Sequence, residues 1–230
     1  MRVSLLDPKN PNQSFPPVCH ALEEPNGLLA IGGCLSASRL VSAYKKGIFP
    51  WYNPNEPILW WSPDPRLVLF PAHLHVSRSL AKTLRKNDFE ITFDQCFLSV
   101  MRACAAPREY ASGTWINNAM LQAYQGLYLQ GIAHSIEVWQ KGDLVGGLYG
   151  LGIGRVFFGE SMFHTQTDAS KIAFVFLVEK LKEWNYQLVD CQVHTQHLIS
   201  LGAEEIERIQ FIKLLEQYCS LLPAAGAWKS

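Results

Sequence analysis

The stretch QLVDCQV, residues 187–193, sets an acid and an amide, Asp190 and Gln192, two positions apart in an apolar run. Side chains of an extended strand alternate between its faces. Leu188, Asp190, Gln192 and His194 therefore fall on one side, and Val189, Cys191 and Val193 on the other. Two residues of rise put the carboxylate and the amide ~7 Å apart, within reach of one small ligand. A carboxylate buried in such a strand requires a partner, so Asp190 reads either as half of a structural ion pair or as a group that handles a proton. FFGESMF, residues 157–163, poses a similar choice. Gly159 lets a ligand or a neighbouring chain approach the backbone, and Glu160 beside it reads either as a strand-end surface residue or, with Asp190 nearby, as part of an acidic spot lined by apolar side chains.

Other patterns carry less chemistry. GLGIG, residues 150–154, joins two expected strands with no helix N-terminus after it, which favours a turn over a phosphate cradle. His194 and His197 have the spacing of a metal pair but lack a third ligand, so no metal is expected. Residues 167–171 read as the cap of the following helix. With no G-x-S-x-G elbow and no Walker loop, the commonest hydrolase and nucleotide-hydrolysis readings fall away. Residues 65–87 hold five basic side chains, Arg66, Arg78, Lys82, Arg85 and Lys86, and no acidic one. They form either a solvated helix face or a phosphate-binding patch.

The elements that position these residues follow from periodicity and turn chemistry. Residues 22–46 suggest a turn at Pro25-Asn26-Gly27, a short apolar strand, a Gly-Gly turn and a helix capped near Ser36 that ends at Gly47. Residues 47–66 pack three tryptophans and five prolines into twenty positions. Proline lacks a donor and has a fixed φ, so this stretch is expected as a rigid linker with short edge strands only, such as residues 58–61. A domain boundary is placed at residues 63–65, giving a small unit over 1–64 and a larger one over 65–230. The larger unit reads as a strand over 66–70, a basic helix over 77–86 with Ser77 as a possible cap, and a helix over 115–130. An antiparallel meander of strands 133–139, 144–149 and 155–159 follows. A helix over 170–184, a strand over 187–193, a short helix near 197–201, a strand near 204–206 and a closing helix over 209–222 complete a mixed α/β (α+β) pattern.

Composition sets wide bounds. Of 230 residues, 48% are hydrophobic and 17% charged, enough apolar surface for a sizeable core. Twenty basic residues balance twenty acidic ones, which argues against a broad electrostatic grip on nucleic acid. The start of the chain lacks a continuous apolar signal region and no later window approaches eighteen apolar residues, so a cytoplasmic protein without membrane contact is expected. The six cysteines are widely spaced with no C-x-x-C pair and read as reduced, mostly buried thiols.

Ten strings, EPNGLLAIGG, GIFPWY, PILWWSPDPR, GTWI, HSIEVW, LVGGLYG, FFGESMF, ASK, LVDCQV and HLISLGA, run in this order from about residue 23 to residue 203. Together they closely resemble the leucyl/phenylalanyl-tRNA–protein transferases. The resemblance implies a small N-terminal domain joined to a larger one similar to the GCN5-related acetyltransferases, with a mixed, largely antiparallel sheet. It also implies transfer of leucine or phenylalanine from charged tRNA to the α-amine of proteins beginning with lysine or arginine, which marks them for degradation. The donor is already an activated ester, so no cofactor or metal is implied, and a monomer is expected. Asp190 acting through Gln192 would draw off the amine's proton. Trp51, Trp115, Leu148, Phe157, Met162, Leu177 and Val189 would surround the substrate, and Glu160 with Asp190 would suit a cationic first residue. The basic run Arg66, Arg78, Lys82, Arg85 and Lys86 becomes the path of the tRNA 3′ end. Trp51, with Trp60 or Trp61, would offer preformed surfaces to the terminal adenosine, unless Trp60 and Trp61 are interdomain core. Cys34, His164 and Glu207 depart from the family's pattern. Two rivals differ in what they require: an acyl-CoA-dependent N-acetyltransferase needs a pyrophosphate loop at a helix start, which is not found, and a non-catalytic module for tRNA or peptide ends would bind without forming product.

Overall fold

The computed structural model describes residues 3–86, 88–106 and 116–229. Its first part is a four-stranded sheet. Strand β1 (Ser4–Leu6) runs parallel to β2 (Leu28–Gly32), helix α1 (Ala37–Tyr44) follows, and β3 (Phe49–Pro50) and β4 (Leu59–Trp61) complete the order β1-β2-β4-β3. Ser36 caps α1 by accepting from the Arg39 N–H at 3.4 Å, and Gly47 takes a left-handed φ of 71° beyond the helix. Strand β4 lies inside the sheet, against the expectation of an edge piece. Pro57 and Pro63 flank it, and Pro50 sits in the edge strand β3, so no proline interrupts its ladder.

The second sheet begins at β5 (Arg66–Leu69), followed by α2 (Arg78–Lys86), β6 (Glu90–Phe93), α3 (Phe97–Ala105) and α4 (Asn118–Leu129). Strands β7 (Ala133–Gln140), β8 (Asp143–Ile153) and β9 (Val156–His164) form the expected meander. Helix α5 (Ala169–Glu183), β10 (Leu188–Gln192), α6 (Gln196–Ile199), β11 (Glu204–Ile206) and α7 (Arg208–Tyr218) finish the chain. The order is β11-β5-β10-β9-β8-β7-β6, antiparallel throughout except for the parallel pair β9 and β10. The mixed α/β class and largely antiparallel sheet are as expected. Strand β6 and helix α3 occupy residues for which the periodicity suggests no element.

One face of the large sheet is covered by α5, with Leu148, Phe157, Leu177 and Val189 in that core. The other face carries α3, α4 and α7, and its apolar cluster runs without a break from Phe158 and Leu188 into Leu6, Tyr44 and Trp60 of the first sheet. Trp60 is fully buried, meets Phe15 edge-on at 4.9 Å and donates to the Gly32 carbonyl at 2.8 Å. The six cysteines are free, but only Cys104 is buried; Cys19 is exposed and the other four are half-buried, which corrects the expectation of mostly buried thiols.

The turn expected over residues 150–154 is a second correction. Strand β8 continues to Ile153 and the chain reverses at Gly154 and Arg155, Gly154 having a φ of 61°. The glycines upstream serve close packing instead. A Cβ on Gly150 would stand 2.2 Å from the Phe158 carbonyl and 2.6 Å from the Phe157 ring. The crowding arises because β9 is bulged there. Tyr149 pairs with Ser161 and Gly150 with Gly159, leaving Glu160 as an extra residue. Gly150→Ala is accordingly expected to lower unfolding free energy by about 3 kcal/mol in denaturant titration.

Candidate functional site

Strands β9 and β10 pair in parallel only from Val156 to Phe158 and from Leu188 to Asp190. Beyond these positions they part. Strand β9 continues to His164 held by β8 alone, while β10 bulges at Cys191 against β5 and ends at Gln192. Gln192 adopts a left-handed φ of 63°, a conformation unfavourable to a residue with a Cβ unless its surroundings hold it. Its backbone N–H donates to Asp190 Oδ1 at 2.9 Å, and its side-chain Nε2 crosses the gap to Glu160 Oε1 at 2.9 Å. The two lips of the opening are thus joined by one amide.

Asp190 is fully buried and held by a two-toothed pair from Arg66, with Nε to Oδ1 at 2.8 Å and Nη2 to Oδ2 at 2.7 Å. The guanidinium lies between the rings of Phe49 and Phe211, 4.7 and 4.8 Å from their centroids. Of the two readings of Asp190, the structural pair is the one present, and its partner is a residue expected on the tRNA path. Arg66 is 1% exposed and cannot meet phosphate. Asp190 likewise presents no free anion to a cationic acceptor, and it meets Gln192 at the backbone, so no side-chain relay joins the two. Of the five basic residues in 65–87, Arg78, Lys82, Arg85 and Lys86 are exposed on α2, whose first turn Ser77 caps at 3.2 Å from Leu80 N, but Arg66 is not among them.

Glu160 also departs from a simple acid. Tyr44 of α1 donates to Oε1 at 2.6 Å and is itself hydrogen-bonded to Tyr124 of α4. Burial raises the Glu160 carboxyl to about 8, hydrogen bonds from Tyr44, Tyr124 and Gln192 opposing the shift and the nearby Asp190 charge adding to it. The carboxyl is therefore largely protonated at neutral pH. It is not a strand-end surface group, and the Asp190 charge is near enough to act on it.

The apolar candidates assemble on the opposite face. Phe157 and Val189 are register partners, as are Leu148 and Met162, and with Leu177 of α5 they line the α5 side of β8, β9 and β10. Phe157 and Val189 pair one position before β9 and β10 part, and Met162 lies beyond that point on β9. Trp51 lies apart on the first sheet, 46% exposed, its ring 5.8 Å from that of Trp61, whose Nε1 donates to the Trp51 carbonyl at 2.6 Å. Trp115 lies outside the described residues. Sequence reasoning missed Tyr44 and Tyr124. Both are tyrosines on helix faces, where nothing local distinguishes a buried hydroxyl with a partner from one that points to water.

The family model described as Leucyl/phenylalanyl-tRNA protein transferase matches residues 68–216, and that of the N-terminal domain of the same family matches residues 33–64. Proteins named leucyl/phenylalanyl-tRNA–protein transferase from Cellvibrio japonicus and Nitrosomonas europaea are each 61% identical. The first match spans 89% of this chain and 87% of the relative, the second 93% and 91%. One of the same name from Methylococcus capsulatus is 54% identical over 99% of this chain and 97% of that one. Among solved structures, L-PGS from Bacillus licheniformis overlaps 71% of this chain and 55% of its own at a TM-score of 0.42 and 10% identity.

Removing Arg66 leaves Asp190 as a buried, uncompensated charge. Arg66→Met is expected to cost about 3–5 kcal/mol in denaturant titration, with part recovered in Arg66→Met/Asp190→Leu. Glu160 has a signature in pH. Its carboxyl titrates near 4.3 when unfolded and at about 8 when folded, so the folded chain binds more protons between these values. Its contribution is complete below the lower value and lost as pH rises through the upper one. The stability of the native chain relative to Glu160→Gln, which keeps the acceptor oxygen, should fall between about pH 5 and pH 8 in urea midpoints.

Proposed function

The chain belongs to the leucyl/phenylalanyl-tRNA protein transferase family, and from this premise we propose how it carries out aminoacyl transfer from charged tRNA to protein and which acceptors it serves. The donors are leucyl- and phenylalanyl-tRNA. The acceptor is the α-amine of a protein beginning with lysine or arginine, and the added residue marks that protein for degradation in the cytosol. The enzyme works as a monomer without cofactor. Among the described residues no helix is long and apolar enough to cross a membrane.

The observation that carries the reading is the Glu160 carboxyl, gripped by Tyr44 and Gln192 at the point where β9 and β10 separate. On one side of that point lies the wall of Leu148, Phe157, Met162, Leu177 and Val189. It receives the donor side chain, and its adaptable Leu and Met members accept both a branched and a planar guest. Hydrophobic pockets discriminate such shapes by only ~1–3 kcal/mol per methylene.

On the other side, Gln192 orients the incoming amine and the ionised fraction of Glu160 takes its proton. A free α-amine has a pKa of roughly 7.7–8.0, so an appreciable neutral fraction can attack near neutral pH; the nitrogen becomes acidic as the C–N bond forms, and Glu160, whose carboxyl titrates at about 8, accepts that proton when ionised. A lysine or arginine at the first position brings positive charge toward the carboxyl and favours its ionised form. This gives the acceptor preference an electrostatic cause. As the C–N bond forms and the ester C–O bond breaks, the proton passes from nitrogen to Glu160 and on to the departing ribose oxygen. Asp190, clamped by Arg66, positions Gln192 through its backbone N–H. Trp51, braced by Trp61, stacks on the terminal adenosine, an interaction of ~1–3 kcal/mol, and Trp115 shares that role by resemblance. Arg78, Lys82, Arg85 and Lys86 on α2 guide the acceptor stem.

The test is an incubation with phenylalanyl-tRNA and a protein beginning with arginine, followed by mass measurement. Addition of one phenylalanine residue is expected, with none on the same protein beginning with glutamate. Glu160→Gln should lower kcat by about 10²–10⁴-fold while leaving donor binding near normal. Full activity in that variant would remove Glu160 from proton transfer.

A further inference from the structure

Beyond α7 the chain folds back along the end of the large sheet opposite the opening between β9 and β10. A turn places Ala224 N on the Trp184 carbonyl at 2.9 Å and Ala227 N on the Ala224 carbonyl at 3.1 Å, with Gly226 at a φ of 91°. Trp228 itself takes a left-handed φ of 60°, a conformation that residues with a Cβ rarely hold without compensation. The compensation is its indole. The ring lies flat on His134, 3.8 Å away at 8°, leans on Trp184 at 4.7 Å and donates from Nε1 to the Tyr186 hydroxyl at 2.8 Å. Gly152 leaves room for it, since a Cβ there would stand 3.1 Å from Nε1.

Gly152 is also the register partner of Phe157 on β9, and the Trp228 ring stacks on the Phe157 ring at 5.8 Å and 28°. Phe157 therefore has two sides in use. One belongs to the wall at the strand opening. The other rests on a side chain that reaches it from the tail, past residue 216, where the family match ends.

We propose that Trp228 is a positioning residue that sets the depth of the donor pocket by bracing Phe157 from beneath, and so tunes the preference between leucine and phenylalanine. The proposal rests on the reading of Phe157 as a wall of that pocket. A close-packed interior transmits the loss of a supporting ring to its neighbour. Without the indole Phe157 can settle toward the vacated space, which deepens the pocket and favours the longer, planar donor.

The experiment measures kcat/KM for phenylalanyl- and leucyl-tRNA in Trp228→Ala, Trp228→Phe and Phe157→Leu, each checked for folding by thermal melting. The expected result is a rise of about five-fold in the phenylalanine-to-leucine ratio for Trp228→Ala, with the ratio near native in Trp228→Phe, which restores a ring. If Trp228→Ala does not fold, Trp228→Leu replaces it, with the same direction expected. Equal loss toward both donors, or an unchanged ratio, while Phe157→Leu does shift it, overturns the proposal and leaves the pocket reading intact. An unchanged ratio in Phe157→Leu overturns both.

Discussion

The arrangement depends on a guanidinium and a carboxylate taken out of water together. Isolated, either charge would be prohibitively expensive inside the fold; paired with two parallel hydrogen bonds, the cost is largely offset and geometry is gained. Arg66 comes from β5, Asp190 from β10, and the rings enclosing them from β3 and α7. One interaction thus ties the first sheet, the second sheet and the last helix. A lysine could not substitute, because neither the planar fork nor the stacking between Phe49 and Phe211 is open to an ammonium. A third hydrogen bond to Asp190, from the Gln192 N–H to Oδ1, fixes the bulge at which β10 parts from β9.

From that fixed point the chemistry of Glu160 follows. The two carboxyls are close enough to interact but live under opposite rules. Asp190 has a full cation of its own. Glu160 has hydroxyl and amide donors, which offset its burial only in part, so it keeps its proton to about pH 8. Tyr44 carries this environment across from α1, which makes the first sheet part of the site rather than an appendage. A site built across such a seam needs the seam to be rigid, and the unbroken apolar cluster from Trp60 to Phe158 supplies that.

Local pattern was enough to read the meander, the long helix α5 and the caps at Ser36 and Ser77, because each rests on periodicity or on a side chain bonding its own neighbourhood; the regular alternation expected from Asp190 to Gln192 is broken by the bulge at Cys191. Partnership across the chain was not readable. Arg66 sits in a basic run and is indistinguishable there from Arg78 until β5 pairs with β10 and buries it. The glycines at 150 and 152 look like turn formers because only groups brought in by the fold, the Phe158 carbonyl and Phe157 ring at 150 and the Tyr186 hydroxyl and Trp228 indole at 152, explain why no side chain fits. Trp60 and Trp61 are adjacent and alike in composition, yet one fills the first core and the other braces Trp51.

The bulge at Glu160 resolves a conflict that strict alternation would create. Phe157 and Met162 are five residues apart, so a regular strand would send them to opposite faces. One extra residue between them inverts the parity. Phe157 and Met162 then share the α5 side, while Phe158 and Phe163 share the other. The inserted residue is the one whose carboxyl turns toward Tyr44 and Gln192. The same irregularity that aligns the apolar wall also expels Glu160 from it, and a one-residue slip in either direction would exchange the two environments. The bulge at Cys191 marks the matching point on β10, whose pairing with β9 ends at Asp190 while its pairing with β5 resumes at Gln192. An opening that is apolar on one side and proton-accepting on the other is therefore a consequence of two inserted residues, held in register by a buried ion pair.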